Sequence, residues 1–157
     1  MSSKRNMISM SSDEIRTYIR SQSRLIVVSN GSRGYPHPMP MNFIFDDEDR
    51  FVMTTFRKSQ KVRNLQRDPK ASLLVESGIA YDELKSVLAY AKVEIIDDTE
   101  EVLRTMMQIM AKETEITGNK MEIVKDQAHS TISKRVALRF TADSYMSWDH
   151  TKLGGRY

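Results

Sequence analysis

The sequence predicts a single, mainly β domain: a six-stranded antiparallel barrel, closed or nearly closed, with peripheral helices. Six short segments are rich in β-branched and aromatic residues, as strands are. Most of them are joined by short polar turns, which favours antiparallel pairing. With 157 residues, of which 39% are hydrophobic, the chain suffices for one core and is too short for two comfortable domains. We expect a flexible N-terminal segment over residues 1–10 and one domain over residues 11–157.

The first half of the barrel is predicted from strands over residues 25–28, 36–45 and 51–55. Glycines at positions 31 and 34 permit a tight turn between the first two strands. Prolines at positions 36, 38 and 40 cannot donate ladder hydrogen bonds. The first half of the second strand should therefore be irregular or lie at an edge, which leaves backbone groups free to meet a ligand.

The second half is predicted from strands over residues 71–75, 86–96 and 136–140. The fifth strand is long, and alternate apolar residues give it one buried face: Val87, Ala89, Ala91, Val93 and Ile95. In the sixth strand, apolar residues at positions 136, 138 and 140 alternate with Ala137 and Arg139. The same alternation predicts one face toward the barrel core.

Three helices are predicted around the barrel, over residues 12–21, after Ser59 and after Asp98. Ser11 with Glu14, and Asp98 with Glu101, have capping-box spacing. The third helix carries an apolar stripe that we assign to packing in the core: Val102, Leu103, Met106, Met107 and Met110. A further short helix is expected over residues 122–127.

Composition excludes several kinds of chemistry. The chain has no cysteine, so redox chemistry would require a bound cofactor. Its three histidines, His37, His129 and His150, lack acidic neighbours at ligand spacing, and we expect no metal site. Nucleophile-elbow, dinucleotide and P-loop fingerprints are absent. Without a membrane-length apolar run or a secretory signal, the expected location is cytoplasmic, with no membrane contact.

Residues 51–69 form the segment that says most about function. A strand ending in two hydroxyls leads into a basic turn and then into a helix whose first amides have no partner within the helix. Such a helix start favours an anion, and Arg57 and Lys61 supply positive charge. The alternative is a solvated basic helix face. Nucleic acid is not an expected partner, because only Phe56 accompanies these basic residues and base stacking needs aromatics among them.

This segment resembles the phosphate-binding segment of the pyridoxamine 5'-phosphate oxidase-like flavoproteins. The matching residues are Thr54, Thr55, Ser59, Lys61, Asn64, Leu65, Asp68 and Pro69. Residues 34–43 resemble the second strand of that family, and residues 71–75 and 87–94 resemble its next two strands. Residues 135–140 and 147–149 resemble its closing strand and tail. The resemblance spans residues 14–152 and implies an FMN-binding split β-barrel.

The resemblance also implies roles for individual residues. The ribityl phosphate would be held by Arg57, Ser59 and Lys61, and the ribityl chain would lie beside Thr54 and Thr55. The isoalloxazine ring would lie against Met39, Met41 and Asn42. Because the family binds its flavin at a dimer interface, the resemblance implies a homodimer whose partner subunit contributes Ser86, Trp148 and Lys152. Trp148 has an equally simple explanation as an aromatic anchor for the C-terminal tail.

The function implied is that of a flavin-dependent oxidoreductase that transfers hydride to or from a small-molecule substrate. The tail over residues 148–152 lacks the Arg-x-His pair with which true pyridoxamine-phosphate oxidases bind their substrate. Two alternatives therefore stay open: a deazaflavin-dependent reductase of the same fold, and a non-catalytic protein that binds flavin, haem or bilin. FMN is preferred as the cofactor, although Lys58, Arg63 and Arg67 offer charge for the longer anionic tail of a deazaflavin.

Overall fold

The computed structural model describes residues 4–118 and 130–155. Seven strands form one antiparallel sheet in the order β2-β1-β5-β6-β7-β4-β3. The strands are β1 (Arg24–Asn30), β2 (Pro36–Asn42), β3 (Ile44–Phe45), β4 (Arg50–Phe56), β5 (Lys70–Ser77), β6 (Lys85–Ile96) and β7 (Arg135–Asp149). The predicted fold class, mainly β and antiparallel with peripheral helices, is confirmed.

The sheet returns on itself at Phe43. β2 lies at one edge of the sheet and β3 at the other, yet only this residue separates them along the chain. The segment predicted as one strand over residues 36–45 therefore pairs with β1 through its first part and with β4 through its last. Phe43 is completely buried where the strand changes partner. The seven strands are thus the six predicted ones, with the second divided in two.

The prolines of β2 disturb its pairing less than the sequence suggests. β2 lies at an edge of the sheet, but it pairs with β1 in unbroken register from Pro36 to Asn42. The prolines occupy alternate positions, so all three can sit where the backbone N–H would point away from β1. The first half was predicted to be irregular or to lie at an edge; the edge position is confirmed, and the spacing of the prolines keeps the ladder regular.

The inward faces of the strands form the core. The predicted alternation in the long fifth strand is confirmed: Val87, Ala89 and Ala91 are buried, and Val93 and Ile95 pack partly buried against the same core. The largest fully buried side chains are Phe43, Phe51, Phe140, Ile19, Met53, Leu65, Leu73 and Leu138. At about 25 cal/mol per Å² of apolar surface removed from water, this burial drives the sheet to close.

Four helices and two 3-10 turns surround the sheet, and the described residues 130–132 are also helical. They are α1 (Lys4–Ile8), α2 (Ser12–Ser21), α3 (Gln60–Arg67), α4 (Thr99–Thr117) and the 3-10 turns Tyr81–Glu83 and His150–Leu153. The predicted capping box at Ser11 and Glu14 forms in both directions. At α4, Asp98 caps the amide of Glu101 at 2.9 Å, but the Glu101 carboxylate binds arginines instead of completing a box.

Three predicted segments remain: the N-terminal segment, the end of the sixth strand and the short helix over residues 122–127. Within the N-terminal segment, residues 4–8 form α1, which contacts the last 3-10 turn and β7, and the flexibility of that segment stays a prediction. The sixth predicted strand continues to Asp149, with a bulge opposite Tyr90 and Ala91, so residues 147–149 are strand and not tail. The helix expected over residues 122–127 lies outside the described residues. Among the described helices, none has the length and apolarity to cross a bilayer.

Candidate functional site

A cleft of about 380 Å³ opens between α4 and the strands β2 and β4. The barrel side of the cleft contains Met41 and Asn42 from β2 and Thr54 from β4. Three further groups line the opposite wall and the rim: the apolar Met106, Ile109 and Met110 of α4, the acidic Glu113, and the basic Arg24 and Arg135 together with Pro40. The structure thus brings together three of the residues predicted to meet the cofactor.

The predicted core stripe of α4 is confirmed only in part: Val102 is buried in a second core cluster, Leu103 and Met106 pack against that cluster, and Met107 and Met110 do not. Met106 and Met110 line the cleft, and Met107 is 58% exposed. Val102 and Thr105 are the α4 residues that are buried, since the first turns of this helix rest on the outer face of β7. The later turns extend over the cleft. Periodicity correctly identified an apolar face, but it could not show that this face borders a cavity.

A buried cation lies beside the start of α3. The Nζ atom of Lys61 donates to Thr55 Oγ1 at 2.7 Å, and both residues are less than a tenth exposed. No carboxylate among the described residues pairs with this amine. Burial lowers the pKa of Lys61, and the charge of Arg135 lowers it further. Ser59 occupies the N-cap position of α3 as predicted, but its Oγ makes no capping bond and is buried without a partner.

These features fit an anion. A buried ammonium group, an unpartnered hydroxyl and the free first amides of α3 are the donors that phosphate takes. Leaving such groups buried and unpaired costs free energy unless a ligand satisfies them. The phosphate of a flavin would meet this requirement at Ser59 and Lys61.

Arg57 is engaged elsewhere. Its guanidinium binds the carboxylate of Asp97 and donates to the carbonyl oxygens of Ser133 at 3.1 Å and Arg135 at 3.5 Å. These contacts join the end of β4 to the end of β6 and the start of β7. Arg57, predicted to hold phosphate, is therefore held by the chain itself in this structure.

Arg135 is a site residue that sequence reasoning missed. It lines the cleft, its guanidinium carbon lies 4.2 Å from the ring centroid of Phe56, and its Nε is buried without a partner. Burial lowers its pKa. Arg135 lies opposite Phe56 because β4 pairs with β7, and the sequence alone did not predict the register of that pairing.

The remaining predicted residues lie apart from the cleft within one subunit. Met39 is half-buried opposite Val27 and is not among the residues that line the cleft. Ser86 and Trp148 pair with each other, eleven residues along β7 from the partner of Thr54, which is roughly 35 Å of extended strand. Lys152 donates to the carbonyl of Ser9 and to Glu14, each at 2.8 Å.

A second cavity, of about 480 Å³, lies between the β1–β2 turn and α3. His37 lines it, and the Nδ1 atom of that residue is buried without a partner. Asn64 is fully buried, donates to Ser29 Oγ at 3.1 Å and accepts from Gln60 at 2.9 Å. Asn64 therefore fixes α3 against β1, a structural role for a residue that the family resemblance singled out.

Comparison with known proteins identifies the family of the chain. Residues 11–149 match the family described as pyridoxamine 5'-phosphate oxidase. The conserved hypothetical protein Rv2991 from Mycobacterium tuberculosis is 32% identical, with a TM-score of 0.81 over 99% of this chain and 95% of that one. None of the curated proteins matches significantly.

More distant structures share the fold. An F420 reductase is 16% identical, with a TM-score of 0.66 over 83% of this chain and 94% of that one. An FAD-binding protein from Mesorhizobium loti is 14% identical, with a TM-score of 0.64 over 88% and 94%. Taken with the family match over residues 11–149, the fold and the 32% identity to the mycobacterial protein show that the chain belongs to the pyridoxamine 5'-phosphate oxidase-like split-barrel family.

Proposed function

We propose that this protein binds FMN at the interface of a homodimer and acts as an oxidoreductase that transfers hydride to or from a small molecule. The observation that carries the proposal is the buried ammonium group of Lys61, which has a hydroxyl partner but no described carboxylate, beside the unpartnered Ser59 Oγ. A bound phosphate would neutralise this charge and accept from both groups.

The cleft beside α4 suits a flat ring. Met106 and Met110 offer polarizable thioethers that pack well against aromatic faces, and Asn42 offers an amide at the rim. A bound flavin supplies the hydride chemistry itself, and the protein holds and shields it. On this proposal the methionines exclude water from one side, Met41 and Asn42 orient the ring, and Thr54 lies beside the ribityl chain.

A deazaflavin is the second candidate cofactor. The fold is shared with an F420 reductase, and Lys58 and Arg63 make no ion pair with any described residue, so they are available to a longer anionic tail. Arg67, by contrast, donates to the carbonyl of Asn30. We rank FMN first because the buried donors beside α3, Ser59 and Lys61, are sufficient for one phosphate.

Titration of the purified full chain with FMN, riboflavin and deazaflavin F420 tests the proposal. Lys61→Met should weaken FMN binding about 10- to 100-fold, the value of a charge-assisted hydrogen bond of about 1.5–3 kcal/mol. Riboflavin, which lacks the phosphate, should bind both proteins alike. The matched control Lys70→Met removes an exposed lysine just beyond the same helix. Equal FMN affinity in all three proteins would refute the phosphate site. Tight binding of F420 but not of FMN would show that the cofactor is a deazaflavin.

The homodimer proposal is supported by an apolar row on the outer face of the sheet. Ile26, Leu74, Leu88 and Met146 are registered neighbours on four adjacent strands, and each is only partly buried in one subunit. A second copy would cover this row. It would also allow Ser86 and Trp148, distant from the cleft within one subunit, to approach the cleft of the other.

Leu88→Asp should convert the dimer into a monomer of about 18 kDa, measured by light scattering at micromolar concentration. Burying a carboxylate in an apolar interface costs several kcal/mol. Thr141→Asp, an exposed position on the same strand pair but outside the row, is the control and should remain dimeric. A wild-type protein that is monomeric would contradict both the dimer and the placement of the flavin between subunits.

A further inference from the structure

Arg57 and Arg135 compete for the role of second cation beside Lys61. The sequence favours Arg57, because it stands two residues before the N-cap Ser59. The structure gives each arginine a different set of contacts, and those contacts distinguish a residue that stabilises the fold from one that is available to a ligand.

Arg57 already has its partners. One of its terminal nitrogens binds Asp97, and the guanidinium also donates to the backbone carbonyls of Ser133 and Arg135. Turning it toward a ligand would break an ion pair and leave carbonyl groups at the start of β7 without a donor. The ion pair is exposed and worth at most about 1 kcal/mol, so the bond to Ser133 at 3.1 Å is the main contact that Arg57 would give up.

Arg135 has no such partner. Its side chain makes no ion pair and no hydrogen bond in the described parts of the chain, and its Nε is buried. The guanidinium lies over the ring of Phe56, and its two terminal nitrogens have no partner among the described residues. It also lines the cleft together with Thr54.

Arg135 and Lys61 lie near each other: Lys61 donates to Thr55, and Arg135 precedes Val136, the cross-strand partner of Thr55. The pKa of Lys61 is lowered first by burial and then by the positive charge of Arg135. Two partly desolvated cations that repel each other are costly to hold together in the absence of a counter-charge. Because no described carboxylate supplies that counter-charge, an external anion is the remaining way to offset the repulsion.

We infer that Arg135, together with Lys61, binds the phosphate of the cofactor, and that Arg57 is a positioning residue that fixes the start of β7 and so places Arg135. The inference rests on the proposed function and deepens it, because it reassigns one ligand of the anion site. A bidentate guanidinium from β7 would grip the phosphate from the side of the cleft, while Lys61 and Ser59 meet it from α3.

A double-mutant cycle separates the two roles. Arg135→Gln should lower FMN affinity at least about 10-fold, equivalent to about 1.4 kcal/mol, and leave riboflavin affinity unchanged. Arg135→Lys, which retains the charge, should recover part of the loss. Arg57→Gln should lower the ratio of FMN to riboflavin affinity by a smaller factor than Arg135→Gln does. Added to Arg135→Gln, it should lower that ratio no further, because a positioning residue acts through the one it positions.

Additive losses in the double variant, or a larger loss in Arg57→Gln than in Arg135→Gln, would overturn the inference. Thermal unfolding of each variant identifies any protein that has lost its fold. If Arg135→Gln does not fold, the FMN and riboflavin affinities of Arg135→Lys are compared with those of the wild-type protein. A cofactor-independent measurement separates failure of the inference from failure of the proposed function. Inorganic phosphate added to the wild-type protein should shift the Nε–H resonance of Arg135 in nitrogen-edited NMR and leave that of Arg57 in place. An unmoved Arg135 resonance would overturn the assignment even if the protein bound no flavin.

Discussion

Arg135 and Arg139 stand on the same face of β7, four residues apart, and differ in what the chain gives them. Arg139 donates to Glu101 at 2.6 Å and to Glu94 at 3.1 Å, whereas Arg135 has an aromatic ring beneath it and no described carboxylate. The Nε of each is buried without a partner, so burial alone does not distinguish them. The presence or absence of a counter-charge does. Where the chain supplies the counter-charge, the arginine stabilises the fold. Where the chain does not, a bound ligand can supply it.

The contrast predicts its largest effect when Arg139 is replaced, as a loss in the free energy of unfolding. Arg139→Met should lower the free energy of unfolding by about 2 kcal/mol, because it leaves the mostly buried Glu101 without its strongest partner. Denaturant unfolding measures the change. Arg104→Met removes the other, 63% exposed, partner of Glu101 and should cost less than about 1 kcal/mol. Equal losses in the two variants would mean that the buried pair has no special value.

A smaller effect of opposite sign is expected at the anion site. Lys61→Met should raise the free energy of unfolding of the ligand-free protein by about 1 kcal/mol, because it removes a desolvated charge and keeps a similar volume. The same denaturant experiment applies. Loss of stability in the ligand-free protein would instead indicate that the bond from Lys61 to Thr55 is structural, and the contrast with Arg139 would fail.

A third effect, which is a pH dependence of stability and not a single loss, is expected at Lys112 on α4. Burial lowers the pKa of this amine from 10.5 to about 8, and its Nζ lies 4.6 Å from the ring centroid of Phe43. Between about pH 8 and 10.5 the unfolded chain binds more protons at this residue than the folded protein does, so this contribution to stability rises with pH. Lys112→Met should reduce the increase in the free energy of unfolding over this pH range by the contribution of Lys112. Parallel pH profiles of the two proteins would contradict the lowered pKa.

Most of the fold could be predicted because its signals are local. The alternation in residues 86–96 and the capping box at Ser11 and Glu14 each depend on a few neighbouring residues, and the structure confirms both. The division of the second strand at Phe43 could not be predicted. It depends on which strands lie on either side of the barrel, and residues 36–45 carry no local mark of a change of partner.

The site was less predictable because its contacts are distant in sequence. Ser59, Lys61 and Thr55 lie in one segment, and the sequence placed them together. The partner of Arg57, Asp97, is 40 residues away, and Arg135 reaches the site only through the pairing of β4 with β7. An isolated arginine at the start of a strand is indistinguishable by sequence pattern from an ordinary solvated one.

The single residue that joins β2 to β3 also constrains how the family can vary in length. Side chains alternate along a strand, so one residue inserted after Phe43 would turn Ile44 and Phe45 to the opposite faces and drive the buried Phe45 out of the core. A deletion there would have the same result. The hairpin turn at residues 31–35, by contrast, lies on the surface between paired strands and can absorb extra residues at little cost. We therefore expect natural insertions to be excluded from the junction at Phe43 and tolerated at that hairpin.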